Sequence, residues 1–191
     1  MKNAVILHGK PTKERYLDPA QPKPQETNWF PWIGKKLAQI GIEVSIPPLP
    51  QPYFPVYEAW RTMFENEKVN QETGLVGHSA GAEFILRWLS SNRDVSVDRV
   101  VLVAPYRDYT EKYGDFSKYE LDSTLPERIG RLAVINSLDD DEPIQKRTHD
   151  IVTAFPLAHL IELDGYGHFR IGHNMTGPEF PALLKELTTT L

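Results

Sequence analysis

Short runs of consecutive apolar residues recur along the chain and predict its strands. Four of them stand out, at residues 2–7, 100–103, 132–135 and 160–163. Continuous apolar runs of this length are typical of strands buried on both faces, as in a parallel sheet. Residues 42–46 and 73–76 predict two further strands, and Pro47 and Pro48 end the first of these.

Apolar residues at helical spacing lie between these runs and predict helices. Three groups each share one helix face: Trp29, Ile33, Leu37 and Ile40; Val56, Trp60 and Met63; and Phe84, Ile85, Trp88 and Leu89. Two more helices are predicted at about 144–155 and 180–187, the last with Leu183, Leu184 and Leu187 inward. Gly41 stands where a helix C-terminal glycine belongs. This βαβ series predicts a doubly wound, mostly parallel sheet flanked by helices.

Two proline-rich segments, residues 11–28 and 47–55, interrupt this alternation. Proline lacks an amide donor and fixes φ, so both are expected to be irregular surface loops. Each follows a strand end, where α/β sheets place ligands. The chain has no internal repeat, linker or charge block, so we expect a single domain over residues 1–191.

Composition excludes several classes of site. The chain has 191 residues and no cysteine, which excludes disulfides, a thiolate nucleophile and a zinc-thiolate site. Its net charge is −5 without a basic cluster, so no nucleic-acid partner is expected. No apolar run approaches a secretory core or a membrane span, and we expect a soluble, cytoplasmic protein without a membrane partner.

The run Gly77-His78-Ser79-Ala80-Gly81 lies between a predicted strand and a predicted helix. This context is that of the nucleophile elbow of the α/β-hydrolase fold, with Ser79 as nucleophile. The Ala80 amide, at the start of the helix, would face a developing oxyanion. The second donor should come from the loop after the first strand, where the Lys10 amide is the candidate and Gly9 gives room. The alternative is an ordinary glycine-rich turn.

The base and the acid should follow the serine in the chain. Four histidines do so: His149, His159, His168 and His173. His149 falls in a predicted helix and His159 starts a strand, whereas His168 lies in the loop after the last strand and is therefore the candidate base. His168, His173 and Asp164 match no metal-ligand spacing, and no metal is expected. His8 should structure its own loop, and His78 should fill the space around the elbow.

The acid should follow the strand that ends near Asn136, where four adjacent carboxylates occur. They are Asp139, Asp140, Asp141 and Glu142. Only one of them needs to accept the imidazole N–H, and the others would be solvated or cap the next helix. Spacing alone leaves the choice open.

These features together resemble the retinoblastoma-binding protein nine and YdeN group of small serine hydrolases, over nearly the whole length. Beyond the elbow and the opening strand into His8-Gly9, the resemblance rests on residues 28–32 (Asn-Trp-Phe-Pro-Trp), 48–50 (Pro-Leu-Pro), Trp60, 137–140 (Ser-Leu-Asp-Asp) and 167–169 (Gly-His-Phe). It implies Ser79 as nucleophile, His168 as base and Asp140 as acid, with Asp139 as the fallback.

The chain departs from that group in two places. Similar proteins tend to place an aliphatic residue and proline shortly after the aspartate, whereas residues 141–144 here are Asp-Glu-Pro-Ile. The Leu-x-Cys-x-Glu motif linked to retinoblastoma binding cannot exist without cysteine, so that partner is not expected.

The resulting expectation is a hydrolase of small esters, or of amides, that acts through an acyl-enzyme without metal or organic cofactor. Residues 105–125 form only a modest excursion, so no large lid is expected and short acyl chains are favoured. The aromatic residues of this excursion and of the other loops either line a substrate pocket or only pack within their loops. They are Tyr106, Tyr109, Tyr113, Phe116, Tyr119, Trp29, Phe30, Tyr53 and Phe54. Alternatives are acyl transfer or perhydrolysis by the same residues, and a non-catalytic binding protein that keeps the fold.

Overall fold

A computed structural model describes residues 1–190, and its centre is a six-stranded sheet. The strands are β1 (Asn3–Leu7), β2 (Glu43–Ser45), β3 (Thr73–His78), β4 (Val97–Val103), β5 (Ile129–Ser137) and β6 (His159–Leu163). They lie in the order β2-β1-β3-β4-β5-β6, and every neighbouring pair is parallel. The predicted mostly parallel sheet is confirmed.

Helices cover both faces of this sheet, as predicted. They are α1 (Lys13–Leu17), α2 (Phe30–Gln39), α3 (Tyr57–Phe64), α4 (Ala80–Ser91), α5 (Glu142–Ala154) and α6 (Pro181–Thr188). Apolar residues of α2 and α6 form a core on one face, and those of α3, α4 and the second half of α5 form a core on the other. Because α4 lies between the sheet and its neighbours, it is buried on nearly its whole circumference.

The edge strands differ from the prediction. Strands β1, β3, β4 and β5 are buried on both faces, but β6 is not, and Leu160 is 36% exposed. The prediction of a fully buried strand at 160–163 was therefore wrong. The physical reason is position, because an edge strand has a neighbour on one side only.

Two predicted helix faces were partly wrong. In α3 the buried residues are Tyr57, Trp60 and Phe64, whereas Val56 precedes the helix and is 42% exposed. At the end of α2, Ile40 occupies the C-cap and is 58% exposed. Apolar residues at a helix end match the periodicity without reaching the core.

The two proline-rich loops differ in structure. Residues 11–28 are not wholly irregular, because they contain α1 and a 3-10 turn at Pro24–Glu26. Residues 47–55 have no helix or strand, and the Trp60 indole holds them by donating to the Pro50 carbonyl at 2.9 Å. The excursion at 105–124 likewise has no helix, and no lid domain covers the sheet in the described residues.

The sheet topology brings five strand ends to one edge. In the pairing register Leu7 lies beside Gly77, His78 beside Val103, and Ser137 beside Leu163. The chain leaves β1 toward β2 on one side and returns to β3 on the other, which opens a crevice between β1 and β3. Ligands bind at such a switch point in doubly wound sheets. Within residues 1–190 no helix is both long and apolar enough to cross a membrane.

Candidate active site

Ser79 lies at the sharp turn between β3 and α4. Its backbone has φ 56° and ψ −120°, a left-handed conformation that is costly for a residue with a side chain. The Ser79 amide donates to the Val103 carbonyl at 2.9 Å, and its carbonyl accepts from the Tyr106 amide at 3.2 Å. A Cβ at Gly81 would lie 2.6 Å from the Leu7 carbonyl oxygen, so only glycine lets the helix approach β1. These contacts hold the strained serine at the crevice.

Ser79, His168 and Asp140 lie in hydrogen-bond contact. His168 Nε2 is 2.9 Å from Ser79 Oγ, and His168 Nδ1 is 2.9 Å from Asp140 Oδ2 and 3.2 Å from Oδ1. With Nδ1 protonated and bonded to the carboxylate, Nε2 is free to accept the serine proton. The Asp140 side chain is only 2% exposed. The geometry is therefore that of a nucleophile, a base and an orienting acid.

Asp139 bonds to the loop that carries His168 rather than to its ring. Its carboxylate accepts from the Ser137 hydroxyl, from the Gly167 amide at 3.0 Å and from the Asn174 amide group. The Ser137 hydrogen bond, followed by that of Gly167, lowers the pKa of Asp139 to about 2. Asp139 thus braces the base loop, a role that the sequence did not indicate.

The other two carboxylates of this loop, Asp141 and Glu142, lie at the start of the next helix. This agrees with the prediction that the carboxylates not serving as the acid would be solvated or would cap that helix. Asp141 occupies the N-cap of α5, and Glu142 lies in the first turn of that helix. Negative side chains are favourable at a helix N-terminus. Both are exposed to solvent.

The two candidate oxyanion donors lie beside the serine. The Ala80 amide begins α4, and Lys10 lines the crevice together with Ser79. Neither amide donates to a backbone carbonyl in the part of the chain that is described. Gly9 provides the expected room, since a Cβ there would lie 2.7 Å from Ser79 Cβ. Both N–H groups are available, and their role in catalysis stays a prediction.

Two buried histidines support the site without belonging to the serine–histidine–aspartate set. His78 Nε2 donates to the His168 carbonyl at 2.9 Å, and burial, followed by the charge of His168, lowers its pKa well below the usual value. His8 Nδ1 donates to the Gly9 carbonyl at 2.8 Å, its Nε2 accepts from the Leu49 amide at 3.4 Å, and burial lowers its pKa to about 4. His8 structures its loop as predicted, whereas the bond from His78 to the base loop was missed.

Two clefts open from Ser79 and His168. One has an empty volume of about 430 Å³, and its lining includes Phe30. The other, of about 530 Å³, is lined by Lys10, Ser79, Tyr106, Asp141, Pro143, Ile144 and His168. Of the aromatic candidates, only Phe30 and Tyr106 line these two clefts. Trp29 and Phe116 are fully buried in the two cores, where they pack instead.

His168, His173 and Asp164 do not form a metal cluster. No group of three or more histidine, aspartate or glutamate side chains suited to hold a metal ion occurs in residues 1–190.

Comparison with known proteins agrees with the fold and with a serine hydrolase. A family model described as serine hydrolase matches residues 20–186. YdeN of Bacillus subtilis (strain 168) is 27% identical over 165 residues, which cover 83% of this chain and 86% of YdeN.

Solved structures show the same architecture. The crystal structure of the ydeN gene product from B. subtilis matches with a TM-score of 0.78 at 25% identity, and covers 98% of this chain and 97% of its own. An α/β-hydrolase enzyme from the metagenome of lagoon sediments at Mar Chica, Morocco, matches with a TM-score of 0.60 at 14% identity, covering 98% and 90%. The fold is the α/β-hydrolase fold.

Proposed function

Because this chain belongs to the serine hydrolase family, we propose that it hydrolyses small esters through an acyl-enzyme formed on Ser79. His168 is the general base and Asp140 is the acid that orients it. The amides of Ala80 and Lys10 stabilise the oxyanion. The same residues serve for amides, which differ in the leaving group.

The observation that carries this proposal is the two-sided contact of His168. One ring nitrogen lies 2.9 Å from Ser79 Oγ and the other lies 2.9 Å from the buried Asp140 carboxylate. A carboxylate on the far side of the ring fixes the tautomer and stabilises the imidazolium that forms during attack. A serine that was merely part of a tight turn would not require this arrangement.

The reaction then follows in two steps. Ser79 Oγ bonds to the acyl carbon while its proton passes to His168 Nε2, and the negative oxygen lies between the two amides. The bond to the leaving alcohol breaks, and that alcohol takes the proton from His168. Water gives a proton to the same nitrogen as it attacks the acyl-enzyme. The bond between the acyl carbon and Ser79 Oγ then breaks, the acid leaves, and Oγ takes that proton from His168, which restores the serine. An alcohol or a peroxide in place of water would give acyl transfer or perhydrolysis.

The shape of the crevice supports small substrates. Tyr106, Pro143 and Ile144 offer an apolar wall on one side of the serine, and no lid domain covers the sheet in the described residues. An open, short wall buries little of a long acyl chain. In a series of p-nitrophenyl esters, acetate and butyrate should therefore be turned over faster than long-chain esters.

The first test is labelling by a fluorophosphonate, read by intact mass, alongside turnover of p-nitrophenyl acetate and butyrate. Wild type should gain one adduct. Ser79→Ala and His168→Ala should gain none and should lose activity on the order of 10⁴-fold. Ser91→Ala, on the exposed end of the same helix, is the matched control and should behave as wild type.

Absence of both adduct and turnover in correctly folded wild-type protein would contradict the proposal. That result would favour the alternative, a binding protein that keeps the fold. A chain-length preference that rises toward long acyl groups would contradict the small-substrate part alone.

A further inference from the structure

Arginines in this protein are almost all paired with carboxylates. Of the ten in the sequence, eight have a carboxylate oxygen within 3.9 Å. Within residues 1–190, only Arg15 and Arg170 have no such partner, and neither guanidinium donates a hydrogen bond there. The two remain unpaired although the chain has a net charge of −5.

Both unpaired arginines line the same cleft, the one that opens from Ser79 and His168 beside Phe30. Lys10 also lines this cleft, but its ammonium lies over the Tyr113 ring, 5.1 Å from the centroid. No aspartate or glutamate is among the described residues that line the cleft. Arg170 is half-buried, and its pKa is lowered by that burial and then by the charge of Arg15. Like charges held together without a counter-ion repel each other, so an anion bound between them would be stabilised.

The two arginines come from segments that are far apart in the chain. Arg15 lies on α1, inside the proline-rich segment 11–28, and Arg170 follows the base His168 by two residues. The Asn28 side chain joins the two segments, because its Oδ1 accepts from the Ile171 amide at 3.1 Å. The proline-rich segment 11–28 therefore forms part of the lining of the cleft beside Ser79.

We propose that this cleft binds an anionic group of the substrate, a carboxylate or a phosphate, carried a few bonds from the acyl carbon that Ser79 attacks. The inference rests on the proposed hydrolase function and adds a substrate class to it. A guanidinium presents its N–H donors in a planar fork that matches both anions. The second cleft, with Tyr106, Pro143 and Ile144, would hold the neutral part of the same ester.

The test uses matched esters that differ only in a terminal group. Each ester is made with a carboxylate, a phosphate or a neutral carboxamide at the same position, once on the acyl side and once on the alcohol side. In one of the two placements kcat/KM for an anionic form should exceed that of the carboxamide by at least about tenfold, the size expected for a charged hydrogen bond. Comparison of the two anions identifies which one the cleft takes.

Substitutions connect this preference to the cleft. In Arg15→Gln and Arg170→Gln the ratio of anionic to neutral kcat/KM should fall severalfold, and in the double variant it should approach one. Arg170→Lys keeps the charge without the fork and should retain part of the ratio. Arg61→Gln removes an equal charge from the exposed side of α3 and should keep the wild-type ratio.

Three results would overturn the inference: equal kcat/KM for all three groups in both placements, a ratio that survives in the double variant, or a ratio lost equally in Arg61→Gln. Turnover of the neutral ester without anion preference refutes the cleft assignment and leaves the hydrolase proposal standing. If no ester is turned over, the cleft assignment is tested by binding. NMR titration of the Ser79→Ala variant then measures its affinity for the same esters. Equal affinity for the anionic and neutral forms would then refute the cleft.

Discussion

Asp139 and Asp140 are adjacent in the chain but contact different parts of the site. Asp140 bonds to the ring of His168, whereas Asp139 bonds to the Gly167 amide in the loop that carries it. Neighbouring residues in a turn point in different directions, so two identical side chains acquire separate roles. Substituting each aspartate separately therefore tests whether orienting the His168 ring matters more for activity than supporting the loop that carries it.

We expect Asp140→Asn to lower kcat by about 10³- to 10⁴-fold, since the amide can no longer fix the required tautomer. Asp139→Asn should cost far less, about tenfold or below, because it weakens only the support of the loop. Steady-state kinetics on p-nitrophenyl acetate compares the two. A larger loss in Asp139→Asn would place the acid at the fallback position. Equal losses would contradict the prediction that orienting the ring matters more than supporting its loop.

At the level of elements, a buried ion pair joins α4, the helix after Ser79, to α5, the helix after Asp140. Glu83 on α4 is fully buried, and Arg147 on α5 donates to its Oε2 from Nε at 2.8 Å. Arg147 also donates to the Tyr119 hydroxyl at 2.9 Å, which ties the aromatic excursion to the same point. Burial raises the pKa of Glu83, and the Arg147 charge opposes that rise. The pair fixes how α4 and α5 sit against each other.

Arg147→Met should destabilise the protein by about 3–5 kcal/mol, because it leaves a buried carboxylate without its main counter-charge. The double variant Glu83→Leu/Arg147→Met should recover most of that loss, since it removes both charges. Arg61→Met breaks an exposed pair with Glu58 and should cost less than about 1 kcal/mol. Urea unfolding measures all three. A double variant as unstable as the single one would show that packing, rather than charge, dominates here.

For the whole molecule, two buried histidines contribute to the dependence of stability on pH. Burial lowers the pKa of His8 from 6.5 to about 4 and that of His78 well below its usual value. Between these folded values and 6.5, the unfolded chain binds more protons than the folded one. Their contribution is therefore complete above about pH 6.5 and is lost as the pH falls toward the folded values.

Between pH 7 and pH 5 we expect His8 alone to account for a fall of about 2 kcal/mol in the free energy of unfolding. In His8→Gln, or in His8→Asn if that variant folds better, the fall should be smaller by this amount. His149→Gln, at an exposed position on α5, should keep the wild-type slope. Urea unfolding at the two pH values gives the comparison, and equal slopes in all variants would exclude a buried neutral His8.

Local patterns in the sequence identified the strands, the helices and the chain order of the candidate site residues. Apolar runs located four of the six strands, and the segments 42–46 and 73–76 indicated the other two. Helical periodicity located the five long helices, and the strand–turn–helix context of Ser79 indicated the elbow. Position after the last strand distinguished His168 from the other histidines. These inferences succeed because they depend on local periodicity and on chain order, which the sequence contains directly.

The tertiary structure was needed to show which residues meet across the chain. It separated Asp140 from Asp139, placed His78 against the loop of His168, made β6 an edge strand and brought Arg15 to the same cleft as Arg170. Arg15 and Arg170 are separated by more than 150 positions, and no local pattern relates them. Side-chain direction in a turn and contacts between distant loops depend on how the strands order in the sheet, which is a property of the folded chain as a whole.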